Sequence, residues 1–141
     1  MFDMSMDQVV LIKKHEPAWQ AGYLNGPGDE VRPDESPIDA VVRSFEAATG
    51  LSQLCWVHFL TLRVSESEEV MFYAAPSMQY TVAQGKDIVI ARVTSVSQMN
   101  VLSGLKWIIP LAVYVFRGPD VWKGTAVMFL DQRVTCMGKE R

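Results

Sequence analysis

Residues 36–50, SPIDAVVRSFEAATG, constrain this chain more than any other stretch. Ser36 offers an N-cap oxygen. Pro37 suits the first helical position, where no backbone N–H is needed, and Asp39 stands three residues past the cap. Ile38, Val41, Val42, Phe45 and Ala48 recur at helical spacing and make one apolar stripe. Gly50 fits the stop, because glycine turns left-handed at little cost. The pattern predicts a helix over Pro37–Thr49 that buries one face.

Around that helix the chain reads mostly as strands. Residues 9–13, VVLIK, form a short β-branched run of the buried type. Residues 14–36 carry His15, Pro17, Gly22, Asn25, Gly26, Pro27, Gly28, Pro33 and several acids, which predicts a long ordered loop or a loop with a hairpin. Loops of that length inside a domain are usually functional. Strand-like runs follow at 54–64, 70–75 and 87–93, with the acidic turn SESEE at 65–69 making a hairpin of the first two. Residues 104–114, GLKWIIPLAVY, look helical, with Pro110 kinking the helix or lying near its start. Residues 125–130 give one more β-like run. Strand, loop, helix, several strands and helix, in that order, indicate a mixed α/β domain.

The chain has 141 residues, enough for one domain, 1–141, around one core. An apolar fraction of 49% with 21% charged residues is a globular balance, so a packed core is expected. The net charge of −3 comes with no basic patch, which argues against duplex nucleic acid as a partner. It does not argue against a free nucleotide, since a pocket needs only a few cations. Cys55 and Cys136 lie in apolar segments and read as buried thiols in a reducing compartment. The start, MFDMSMDQ, lacks the basic head and apolar run of a secretory leader. The longest apolar stretch, residues 107–116, contains Pro110 and is too short to span a bilayer. These features predict a soluble, cytoplasmic protein with no membrane partner.

Residues 27–51, PGDEVRPDESPIDAVVRSFEAATGL, resemble the Nudix box, the signature of the MutT-like hydrolases that cleave a nucleoside diphosphate linked to another group. Aligned on Gly50, Glu35 falls on the box's first glutamate, Arg43 on its arginine, Phe45 on an apolar position, and Leu51 closes it. Two further segments are similar to one Nudix subgroup. AWQAGYLNGPG, residues 18–28, resembles its entry loop, and LKWIIPLAV, residues 105–113, its last helix. The resemblance covers about residues 9–115 and implies an α/β (α+β) Nudix fold, an α/β/α sandwich with a mixed central sheet.

The departures fall on one face. The box's opening glycine is Asp29, the glutamate after the arginine is Ser44, and the paired glutamates are Ala47 and Ala48. The resemblance implies that those three helix glutamates would hold magnesium. Carboxylates three and four residues apart converge on one side of a helix, and hard cations require such oxygens. Alanine offers none. Taking Ser44 as zero, Ala47 and Ala48 lie near about −60° and +40°, whereas Glu46 and Asp39 lie near about 200° and 220°, on the far side. Asp39 and Glu46 are instead expected to form exposed ion pairs with Arg43 along the helix. The surviving Glu35 and Arg43 suggest a structural role in shaping the loop. Glu35 and Asp29 remain weak metal candidates, and no metal site is expected.

Four residues are candidates for ligand binding. Trp19 precedes the box and can stack on a base, although a tryptophan in a small domain is more often core, as expected of Trp56, Trp107 and Trp122. Asn25 belongs to the entry loop. Gly28 ends a GPG turn whose amides can meet a phosphate, although a turn alone explains it. Asp87 lies where Nudix relatives often carry an acid near the site. His15 and His58 have no metal spacing, and His58 reads as a structural strand residue.

The expected function is a catalytically impaired Nudix-fold protein that binds a nucleoside-diphosphate-type ligand as a sensor, regulator or sequestering factor. One alternative is a divergent hydrolase of nucleoside diphosphate derivatives, with Mg2+ or Mn2+ as cofactor. Another is a scaffold that reuses the fold. The resemblance also allows a homodimer.

Overall fold

The capping residues of the helix meet as their spacing predicts. In this computed structural model, which describes residues 1–83, 85–118 and 126–129, the chain forms β1 (Gln8–Lys13), β2 (Leu24–Asn25), α1 (Pro37–Thr49), β3 (Val57–Arg63), β4 (Glu69–Ala74), β5 (Ile88–Arg92), α2 (Leu105–Arg117) and β6 (Ala126–Phe129). Ser36 Oγ accepts from the Asp39 N–H while the Asp39 carboxylate accepts from the Ser36 N–H, a closed capping box. Gly50 ends α1 at φ +70°, the left-handed conformation that favours glycine.

Two three-stranded sheets order as β2-β1-β5 and β4-β3-β6. All pairs are antiparallel except β3 with β6, which is parallel. The N-terminal residues join the two sheets. Phe2 lies opposite Val9 on one side and Pro76 on the other. Its N–H donates to Ala75 O (2.9 Å), and its carbonyl accepts from the Ser77 N–H (2.9 Å). The result is a mixed central layer.

A helix covers each face of that layer. Alternation along β1 sends Val9 and Leu11 to one side and Val10 to the other. Val9 and Leu11 pack with Leu105, Ile108, Ile109 and Ala112 of α2. Val10 packs with Phe45 of α1, Ala75 and Trp56. Phe45 meets Trp56 edge-on, with ring centroids 4.9 Å apart. A strand buried on both faces reads as a continuous apolar run, which is why VVLI shows no polar alternation.

Several expectations need correction. The third strand begins at Val57, not at 54, because its pairing with β4 starts there, opposite Ala74; Leu54, 71% exposed, and Cys55, also exposed, precede it. Trp56 nevertheless turns inward and donates from its indole N–H to Gln53 O (2.7 Å). Cys55 is therefore not the buried thiol expected; Cys136 and Trp122 lie outside the described residues. The second helix runs on to Arg117 with Pro110 inside it, on its exposed side. Trp107 on that helix is exposed rather than core. The segment before residue 8, which carries no periodic signal, buries Met1, Phe2 and Met6. Among the described residues no helix is long and apolar enough to cross a membrane.

Candidate functional site

Arg43 organises the ground between the long loop and α1. Its Nε and Nη2 donate to the two oxygens of Glu35 (3.0 and 2.5 Å), a bidentate pairing. Nη2 also donates to Glu30 O (3.0 Å), and Nη1 to the Asp29 carboxylate (2.9 Å). Glu35 further accepts from the Arg32 N–H (3.0 Å). The Arg43 guanidinium, followed by that backbone donor, holds the Glu35 carboxyl down at about 2, against an ordinary 4.5. Hydrogen bonding to Arg43 likewise lowers Asp29. Arg43 itself is held more firmly protonated by the same partners, Glu35 first.

The expected helix pairs of Arg43 with Asp39 and Glu46 do not form. Asp39 is committed to the cap, accepting from both Ser36 groups, and Arg43 reaches back into the loop. The loop offers Arg43 a bidentate carboxylate, a second carboxylate and a carbonyl, which outweighs an exposed pair worth a few tenths of a kcal/mol.

At positions 44, 47 and 48 of the same helix the side chains are neutral. Ser44 is only 7% exposed and its hydroxyl donates to Val41 O (3.3 Å). Ala47 is exposed and Ala48 half-buried. Gly85, from the segment leading into β5, lies so near α1 that a Cβ there would stand 3.1 Å from Ala48 O.

The remaining candidates lie around this ground. Asp87 stands at the foot of β5, and its carboxylate meets His15 Nε2 at 2.8 Å. The His15 hydrogen bond lowers the Asp87 carboxyl, with Lys86 and Lys13 adding to the effect. Trp19 is 62% exposed on a single 3-10 turn, Ala18–Gln20. Asn25 spends its amide on its own loop, donating to Gln20 Oε1 (3.1 Å) and accepting from the Gly26 N–H (2.8 Å). The Gly28 carbonyl accepts from Lys14 Nζ (3.4 Å). His58 Nε2 lies 2.9 Å from Thr61 Oγ1 and 3.1 Å from Leu60 O, with its ring against Tyr73, as a structural strand histidine should. Two contributors escaped the sequence reading: Gly85, an unremarkable loop glycine until its neighbour is known, and Lys14, whose reach to Gly28 depends on the fold of the loop.

The geometry can be set against known proteins. No family model matches the sequence, and no curated protein matches it. Solved structures do. A MutT/Nudix family protein from Listeria innocua superposes with a TM-score of 0.59 at 17% identity, over 77% of this chain and 80% of that one. A mutator MutT protein from Bacillus halodurans superposes with a TM-score of 0.51 at 18% identity, over 87% of this chain and 79% of that one. The chain has a Nudix-like fold. The resemblance of residues 27–51 to the Nudix box would place magnesium ligands on α1. The donor set here does not fit that ion. Ala47 and Ala48 bring no donor, the Ser44 hydroxyl is neutral and turned to Val41, and both oxygens of Glu35 face Arg43. Among the described residues no three His, Cys, Asp or Glu side chains converge as metal ligands.

Proposed function

We propose that this Nudix-like chain binds a nucleoside-diphosphate-type ligand and hydrolyses it poorly or not at all, acting as a sensor, regulator or sequestering factor. The observation that carries this reading is the contrast along α1. The Arg43–Glu35–Asp29 pairing that ties helix to loop is complete, while the helix face bearing Ser44, Ala47 and Ala48 has no carboxylate. Magnesium stabilises charge on phosphoryl oxygens and orients the attacking water. Without carboxylates to hold it, a pocket can still recognise a nucleotide through cations, amides and stacking. Trp19, Asn25 and Gly28 are the candidates from the entry loop, and Asp87 the candidate from the foot of β5.

Thermal unfolding with ADP-ribose, nucleotide sugars and nucleoside triphosphates tests the reading. A ligand present at one hundred times its dissociation constant should stabilise the fold by roughly 2.7 kcal/mol. No shift with any of them contradicts the binding reading and favours a scaffold.

A further inference from the structure

Asn25 is followed by glycine, and the fold holds the two residues against each other. The β1–β2 ladder runs from the Lys13–Leu24 rung to the Ile12–Asn25 rung, so the backbone is anchored up to Asn25 and leaves the sheet at Gly26. The Gly26 N–H donates to Asn25 Oδ1 (2.8 Å). That bond fixes which end of the side-chain amide is oxygen. It also stands the Gly26 nitrogen beside the Asn25 amide carbon, which is one bond from Oδ1. The other end of the amide, Nδ2, donates to Gln20 Oε1 (3.1 Å). Both residues are half-buried. A Cβ built on Gly26 would meet no atom within 4 Å beyond its chain neighbours, so the space beside this glycine is open.

The other asparagine of the chain, Asn100, has a different setting. It precedes Val101, whose β-branched side chain is buried and crowds the amide that joins the two. Its Nδ2 donates to Gly22 O (3.2 Å). One chain therefore holds an open Asn–Gly pair and a hindered Asn–Val pair.

We propose that Asn25–Gly26 is a site of spontaneous deamidation in the entry loop, with Gln20 as its restraint. Gly26 N gives up its proton to water or hydroxide and attacks Asn25 Cγ. The new N–Cγ bond closes a cyclic succinimide, the Cγ–Nδ2 bond breaks, and Nδ2 regains a proton and leaves as ammonia. Water then opens either ring carbonyl and leaves aspartate or isoaspartate. In sum, water is consumed and ammonia released. Holding the nucleophile next to the carbonyl makes the step intramolecular, where proximity and orientation contribute most. A donor bonded to Oδ1 lies near the amide plane, whereas attack on Cγ comes from above it, so the amide has to turn first. The bond from Nδ2 to Gln20 opposes that turn. Either product sets a carboxylate where Asn25 now donates to Gln20, and isoaspartate also adds a carbon to the backbone just past the last β1–β2 rung. The entry loop is thereby altered with the age of the chain, whatever the chain binds.

Peptide mapping by mass spectrometry tests this on the full chain, sampled during long incubation at neutral and at mildly alkaline pH. The peptide containing residue 25 should gain the mass of amide-to-acid conversion, as an aspartate–isoaspartate pair, and faster at the higher pH. The peptide containing Asn100 should lag far behind it. Gly26→Ala, whose methyl has room, should lower conversion at residue 25 to the level of Asn100. Gln20→Ala should raise it, with circular dichroism showing that the variant is folded. Conversion at residue 25 no faster than at Asn100, or undiminished in Gly26→Ala, overturns the deamidation site. These two comparisons stand even if Gln20→Ala fails to fold. Conversion in folded Gln20→Ala at the unmodified rate overturns the restraint.

Discussion

Arg43 faces two carboxylates and a backbone carbonyl, so removing its charge leaves Glu35 and Asp29 side by side without a counter-ion. The consequence is a pH dependence with a definite sign. Glu35 titrates near 2 in the folded chain, below its ordinary 4.5. Its contribution to stability is therefore fully present above about 4.5, and is lost as pH falls from there toward about 2. Asp29, lowered by the same guanidinium, adds in the same direction. Chemical denaturation at a series of pH values should show stability falling across this window. In Arg43→Gln the Glu35 carboxyl returns toward its ordinary value, so the variant should be less stable at neutral pH and its curve flatter below pH 4.5. Equal slopes in the two proteins would show that the pairing contributes nothing to folding.

At the scale of elements, α1 was legible from end to end. Its cap, first-turn proline and terminal glycine all act within a few residues; its buried face was less legible, since Ile38 of the expected stripe is exposed whereas Ala40, Ser44, Phe45 and Thr49 are buried. Ser36→Ala removes the cap oxygen that Asp39 uses and should cost about 1 kcal/mol, read as a lowered denaturation midpoint at unchanged slope. A change within error would mean that the cap is not needed once the helix is packed. Other elements were only partly legible. The start of β3 was misplaced because Leu54 and Cys55 have strand-like side chains but lie exposed before the ladder begins. Phe2 was missed because a single bridging residue has no period to detect; its role depends on β1 and on the segment after β4, which only the fold brings together. The partners of Arg43 were misjudged for a related reason. Helix spacing names the neighbours at i±3 and i±4, but not what a folded loop can offer a long guanidinium.

For the molecule as a whole, both segments that resemble a Nudix subgroup outside the box, and the box itself, lie on elements of a Nudix-like fold. The order of elements indicated only a mixed α/β domain; the three-layer sandwich was implied by the resemblance to the Nudix box. The candidate site was legible in its departures, since Ser44, Ala47 and Ala48 are visible in one line of sequence. Its surroundings were not legible, because the approach of Gly85 to α1 depends on chain segments far apart in sequence. The proposed function pairs a retained Nudix-like fold with the loss of its metal chemistry. The most direct measurement is turnover of ADP-ribose, nucleotide sugars and nucleoside triphosphates by the purified chain with magnesium or manganese. Rates well below the ordinary enzymatic range of about 1–1000 per second are expected, and turnover within that range would contradict the proposed loss.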